Sequence, residues 1–354
     1  MNYQSQLRKF LKAAIERNAS DLHICVGHPP TLRIARKLIK IDDEKVINSQ
    51  DAEGLAFSLL DEYQKERFLR DKEIDFSYNF EDEARFRGNI YFESGNISIA
   101  LRLIPREIKK IEELNLPSVL HKLTEATQGF VLITGASSQG KSTTLASLID
   151  EINHTRREHI ITIEDPIEYI FVDDKSIIDQ REVGRDTWNF ATALRSTLRE
   201  DPDVIMVGEM RDLETISTAI TAAETGHLVF ATLHTNSASQ TIHRVIDVFP
   251  SHQQNQIRSQ LSGSLLAVIS QKLILTTKNE LIPVCEVMFN NSAVSNLIRE
   301  NKIHEIPSVI ETSRNEGMIP FNLSLAELVK QGKITRETAL KHSFNSKDLR
   351  LRLK

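Results

Sequence analysis

The sequence predicts an α/β chain in which an open, doubly wound parallel sheet follows a small α+β domain. Three observations predict it. Beyond about residue 118 the apolar runs GFVLITG, HIITIED, VIMVGE and LVFATLHT alternate with stretches at helical spacing, the repetition that builds a layered α/β sheet. GFVLITG is almost continuously apolar, as a strand covered on both faces must be. The first hundred residues instead hold short strands separated by turn residues.

Taken in order, residues 3–17 have apolar side chains at helical spacing and end in a polar turn at residues 18–21. LHICVG and TLRIARKLIKI read as strands around the turn at residues 27–30. Residues 49–70 read as one helix, with Ser49 as its cap and Leu55, Phe57, Leu59, Leu60, Tyr63 and Phe68 on its buried side. IDFSYNF, ARFRGNIYFES and NISIALRLIP follow as three strands and complete a first domain, residues 1–104. The charged stretch PREIKKIEELNLP, residues 105–117, is bounded by prolines and reads as a linker to a second domain, residues 118–354. Helices are expected there from about Lys141, over residues 189–199 and over 213–225. The final part, residues 253–354, is expected to be mostly helical with a strand pair near 273–287.

The chain has 354 residues, 40% apolar and 26% charged, enough for two domains with real cores. Its amphipathic, charged start does not read as a signal peptide, and no apolar run reaches about 18 residues, so no transmembrane segment is expected. Cys25 and Cys285 lie far apart and outside any C-x-x-C pair, which points to buried small side chains in a reducing compartment rather than to a zinc site. A net charge of -5 and the lack of a basic-aromatic stripe argue against direct nucleic-acid binding.

The sharpest motif is Gly135-Ala136-Ser137-Ser138-Gln139-Gly140-Lys141-Ser142, which satisfies G-x-x-x-x-G-K-[ST] between a strand and a helix. In such a loop backbone amides cradle phosphates, the lysine reaches the β and γ oxygens and the hydroxyl holds Mg²⁺. These eight residues and Thr143 are the candidate ATP-binding set, with Ser142 also a candidate metal ligand. The second domain is therefore expected to be a RecA-like P-loop NTPase core.

Hydrolysis also needs acids for the metal and the attacking water. Candidates are Glu168, in the run Glu164-Asp165-Pro166-Ile167-Glu168 after one strand, and Glu209, after VIMVG, where a Walker B acid and second metal ligand is expected. In a parallel sheet such strand ends open onto the crevice that holds the phosphate loop. Glu164 and Asp165 suit a structural role equally well. His234 follows LVFATL at the same kind of position and could sense a phosphate or bond a carboxylate; His227, before that strand, reads as a brace. Arg85 and Arg87 alternate on one strand and so share a face that suits phosphate oxygens, or simply solvent. Arg195 and Arg199 lie one turn apart on a helix and suit either a relay or surface ion pairs.

These pieces together resemble the secretion-ATPase superfamily, and within it the type IV pilus retraction ATPases of the PilT/PilU kind. The resemblance rests on SDLH at residues 20–23, GxPP at 27–30, RFR at 85–87, ALRLIP at 100–105, ITIEDPIE at 161–168 and QREVGRDT at 180–187. It continues through ALRSTLREDPDVIMVGEMRD at 193–212, TAAETGHLVFATLHTNSA at 221–238, DVFP at 247–250, AVISQ at 267–271, NLIRE at 296–300 and the Gly317-Met318 pair. It implies a homohexameric, Mg²⁺-ATP-driven motor, peripheral at the cytoplasmic face of the inner membrane, that powers pilus retraction and twitching motility. A pilus platform protein, and a paralogous retraction ATPase, are the implied partners. The resemblance also implies a PAS-like N-terminal domain, Glu168 as catalytic base, Glu209 in the Walker B role and His234 in the family's histidine box. Arg85, Arg87 and Arg102 are implied to approach the nucleotide at a subunit interface, where an arginine supplied in trans makes hydrolysis depend on the neighbour.

The chain departs from the family where GPTGSGKST is expected. Ala136, Ser137, Ser138 and Gln139 stand where proline, threonine, glycine and serine do, so Ser138 lacks glycine's freedom at positive φ. Ala35-Arg36 replaces the usual Asn-Gly or Asp-Gly hairpin turn, and Ser295 replaces an arginine in AIRNLIRE. The tail NSKDLRLRLK is closer to the PilU kind and residues 181–250 to the PilT kind. A PilU-like accessory subunit with weak ATPase activity and a PilT-like type IV secretion ATPase are the alternatives.

Overall fold

Alternating burial organises the first sheet, because successive side chains of a strand face opposite sides. Strands β1 (Asp21–Ile24), β2 (Thr31–Ile34), β3 (Lys37–Lys40), β4 (Glu73–Phe80), β5 (Ala84–Glu93) and β6 (Asn96–Ile104) pair antiparallel in the order β3-β2-β1-β6-β5-β4. The helix Tyr3–Glu16 buries Leu7, Phe10, Leu11 and Ala14 in a core shared with Leu22, Phe68, Phe86 and Ile99. The computed structural model describes residues 2–354 apart from 36, 82, 105 and 106. The chain divides into two units, Met1–Glu107 with Pro166–Ile170, and Ile108–Asp165 with Phe171–Lys354.

Two elements of the first unit differ from the sequence reading. TLRIARKLIKI is two strands, β2 and β3, because the backbone turns at Ala35 with φ 46°; Arg36 lies outside the described residues. The expected helix over 49–70 is two helices, Ser49–Phe57 and Glu62–Asp71. Asp61 starts the second with a capping box: its side chain accepts from the Gln64 amide at 2.8 Å, and Gln64 Oε1 accepts from the Asp61 amide at 3.1 Å. The cap of the first helix is Asn48 rather than Ser49, and Tyr63 is exposed rather than buried.

The second unit is built on β7 (Gly129–Thr134), β8 (His159–Glu164), β9 (Ile177–Glu182), β10 (Val204–Val207), β11 (Leu228–Leu233), β12 (Leu265–Leu275) and β13 (Leu281–Phe289). Their order is β13-β12-β7-β11-β10-β8-β9, parallel throughout except β13. Every residue of β7, β10 and β11 is buried, which explains their unbroken apolar sequences. The helices Lys141–Thr155, Phe190–Thr197 and Leu213–Glu224 stand close to where periodicity predicts them. β9 has no counterpart in the sequence reading, since IIDQRE is an edge strand with polar residues along it. The β12–β13 hairpin begins earlier and is longer than expected, with β12 joined to the parallel ladder beside β7. This is a RecA-like P-loop NTPase core.

The first two residues of the expected linker, Pro105 and Arg106, lie outside the described residues, and 107–117 hold neither helix nor strand. No helix among the described residues is long and apolar enough to cross a membrane.

Candidate active site

Parallel strands end on the same side of a sheet, so whatever follows their carboxyl ends is brought together. β7 pairs with β11 up to Thr134 and Leu233, and β10 pairs with β11 up to Val207 and Ala231. The phosphate loop follows β7, Glu209 follows β10 and His234 follows β11. The structure brings these three together in the second unit. Lys141 Nζ lies 3.4 Å from His234 Nδ1, and His234 Nε2 lies 3.1 Å from Glu209 Oε1. The Nε2–H tautomer of the imidazole satisfies both contacts, accepting from the ammonium and donating to the carboxylate.

Glu209 is further held by Arg211, whose Nη2 donates to Glu209 Oε2 at 2.8 Å. Burial pushes the Glu209 carboxyl up, but the Arg211 guanidinium and His234 outweigh it, so the pKa sits below the usual carboxylate range. The turn carrying Glu209 is stitched into the sheet: the Gly208 amide donates to Ile163 O at 2.8 Å and the Met210 amide to Thr232 O at 3.2 Å. The acid is thus ionised at neutral pH and fixed in place before any ligand arrives.

The phosphate loop has the shape its glycines dictate. Gly135 has φ 152° and Gly140 φ 81°, and a Cβ at Gly135 would run into the Gln271 carbonyl oxygen. Lys141, buried at the start of its helix, donates to Gly135 O at 2.8 Å and Ala136 O at 3.0 Å. Ser142 and Thr143 follow it in the first helical turn. Backbone packed too tightly for a β-carbon, opening into a helix N-terminus beside a buried lysine, fits a nucleotide's phosphates with Mg²⁺. Ser138 adopts φ 60°, the left-handed conformation that glycine takes without steric cost.

The sheet of the first unit places the three candidate arginines on one face. Arg85 and Arg87 alternate on β5, and Arg102 on β6 lies directly opposite Arg87. Arg85 is buried and its Nη1 donates to Asn79 Oδ1 at 3.2 Å, while Arg102 Nε donates to Asp21 Oδ1 at 3.0 Å. Glu168 belongs to the segment Pro166–Ile170 that packs with this unit, and its Oε1 is 3.5 Å from Arg87 Nη1. The structure therefore gathers Glu168 with the arginines, and Glu209 and His234 with Lys141. Glu164 is buried and accepts from Thr162 Oγ1 at 2.7 Å and Gln180 Nε2 at 3.1 Å. His227 braces its loop through Ala222 O at 2.9 Å, and Arg195 pairs with Glu214 of the next helix.

Sequence reasoning missed Gln271 and Arg211 as residues of the site. Gln271 Oε1 accepts from Thr144 Oγ1 at 2.8 Å and its Nε2 donates to Gln139 O at 2.8 Å. Nearby, Thr134 and Ser270 hydroxyls meet at 3.0 Å. The signal was present as Ser270-Gln271 inside the apolar strand LLAVISQKLIL, because buried polar side chains need partners.

A family model described as "Type II/IV secretion system protein" matches residues 3–317. The chain is 43% identical to the "Type IV pilus retractation ATPase PilT" of Pseudomonas aeruginosa, covering 94% of this chain and 96% of that one. It is 38% identical to the "Type IV pilus ATPase PilU" of the same organism, covering 99% and 91%. Among solved structures, one titled "Crystal Structure of the Pilus Retraction Motor PilT and Bound ADP" superposes with a TM-score of 0.92 at 45% identity, covering 97% of this chain and 98% of that one.

Proposed function

Since the chain belongs to the type II/IV secretion system protein family, among the PilT/PilU-like ATPases, we propose that it is an ATP-hydrolysing motor that drives type IV pilus retraction and hence twitching motility. The observation that carries this reading is the convergence of Lys141, His234 and Glu209 at the carboxyl ends of β7, β11 and β10, beside a loop shaped for phosphates. The motor works as a homohexameric ring at the cytoplasmic face of the inner membrane, on a pilus platform protein. The N-terminal unit is PAS-like, a reading supported by its antiparallel sheet with helices packed against it.

In hydrolysis the loop amides and Lys141 hold the β and γ phosphates, which disfavours every geometry but in-line attack. Ser142 and Glu209 are the residues that would hold Mg²⁺, which neutralises phosphate charge when bound. Glu209 is suited to this because it is kept ionised, and His234 and Arg211 fix its orientation. Glu168 orients and deprotonates the attacking water. Arg87 and Arg102 present positive charge toward a neighbour's nucleotide, and that dependence couples the subunits of a ring, while Arg85 is buried and bonded to Asn79.

Steady-state ATP hydrolysis by wild-type protein and Glu168→Gln is the test. Magnesium-dependent turnover that collapses in the mutant supports the motor. A second reading, an accessory subunit of the PilU kind with weak turnover, is favoured by Ser138 at φ 60°; negligible turnover in both proteins, with folding, assembly and nucleotide binding intact, would select it.

A further inference from the structure

β12 runs past the end of β7, since the last pair between them is Thr134 with Ser270. Beyond that pair the β12 amides on the β7 side need another acceptor, because a backbone N–H withdrawn from water must be bonded. Gln139 supplies it. Its Oε1 accepts from the Leu273 amide at 2.7 Å. In return Gln271 Nε2 donates to the Gln139 carbonyl at 2.8 Å, and the same Gln271 amide accepts from Thr144 at the start of the helix. The tip of the phosphate loop is therefore clasped to β12 through both the side chain and the backbone of one residue.

That residue directly follows the strained one. Ser138 holds φ 60°, a conformation costly for any residue with a β-carbon, and such a conformation persists only where its surroundings enforce it. A serine at position 139, which the family resemblance leads one to expect, ends two bonds short of the Gln139 carboxamide oxygen. We propose that Gln139 is a positioning residue for the nucleotide's phosphates: its clasp with Gln271 and Leu273 holds the loop in its phosphate-cradling shape despite Ser138, a role that presupposes a nucleotide-binding loop. Ser138 and Gln139, two of the four positions at which the loop departs from GPTGSGKST, are then a strained residue and the strut that offsets it. The clasp also joins the loop to β12, whose hairpin partner β13 packs its Ile282 and Val284 against Phe321 and Leu325 of a C-terminal helix.

The experiment measures Mg-ADP affinity by titration calorimetry, and KM and kcat for ATP, in full-length wild type, Gln139→Ala, Gln139→Ser, Gln271→Ala and the Gln139→Ala/Gln271→Ala pair. The melting midpoint of each checks folding. Losing one or two hydrogen bonds of a preorganised loop predicts a Kd and KM raised about fivefold in both Gln139 variants, with kcat within about twofold of wild type. Because the two glutamines form one clasp, the double variant is weakened by less than the product of the single effects. A Gln139→Ala or Gln139→Ser protein that folds and binds Mg-ADP as wild type does overturns the proposal, even if ATP turnover is robust. A wild type without turnover, whose Gln139 variants still lose ADP affinity, would sink the motor reading and leave the clasp standing.

Discussion

At the scale of single residues, Glu209 is held ionised against burial by two neighbours, Arg211 and His234. Arg211 draws its pKa down from one side and His234 orients it from the other. Glu209→Gln removes the charge but keeps the shape, so ATP binding is expected to survive while magnesium-dependent turnover falls on the order of 10²-fold or more. A phosphate-release assay beside a nucleotide titration checks this; a variant that turns over like wild type would remove Glu209 from the chemistry. Cys285 illustrates the opposite use of burial. With no charged partner, its thiol is pushed up to about 12 and has almost no thiolate at neutral pH. Alkylation followed by mass spectrometry is expected to leave Cys285 unlabelled in folded protein and to label it in denaturant.

At the scale of elements, the turn at residues 111–115 is held against the helix Lys141–Thr155 by a histidine between two carboxylates. His121 Nδ1 lies 2.7 Å from Glu151 Oε1, and its Nε2 lies 2.6 Å from Glu112 Oε1. The hydrogen bond to Glu151, followed by that to Glu112, raises the His121 pKa above its usual value against the opposing effect of burial. A raised folded-state pKa means stability that is fully present below the unfolded value, about 6.5, and lost as pH rises through the folded value. The melting midpoint of His121→Gln should therefore trail wild type most at pH 6 and least near pH 9. A gap that stays constant across that range would show that protonation is not what holds the turn. The break between the helices Ser49–Phe57 and Glu62–Asp71 depends similarly on one cap. Asp61→Ala is expected to cost about 1 kcal/mol of stability in urea unfolding, with nucleotide affinity unchanged.

At the scale of the whole molecule, the candidate groups fall on two units: Glu168 with Arg85, Arg87 and Arg102 on one, Lys141, Glu209 and His234 on the other. A ring in which one subunit's arginines serve the next subunit's nucleotide makes activity a property of the assembly. Turnover per subunit should then rise with protein concentration and level off. Adding Glu168→Gln protein to wild type should then depress activity by more than simple dilution, because an inactive subunit in such a ring would also silence its neighbour. Strict proportionality to the wild-type fraction would mean that each subunit hydrolyses alone.

The sequence by itself determined what local chemistry and periodicity can encode. The apolar runs of β7, β10 and β11 marked buried parallel strands, and the loop from Gly135 to Ser142 marked a candidate phosphate site, since both signals lie within a few consecutive residues. Glu209 and His234 were legible because a strand end in a parallel sheet has a known destination. The break at Asp61 was hidden, because helical periodicity continues across it and only the capping geometry interrupts it. β9 was hidden because an edge strand with polar side chains lacks an apolar signature. Tertiary structure alone decided that Gln271, 132 residues away, clasps Gln139 and that Glu168 meets Arg87. Contacts of that kind depend on which strands become neighbours, and strand order is set by the packing of the whole core rather than by any window of the chain.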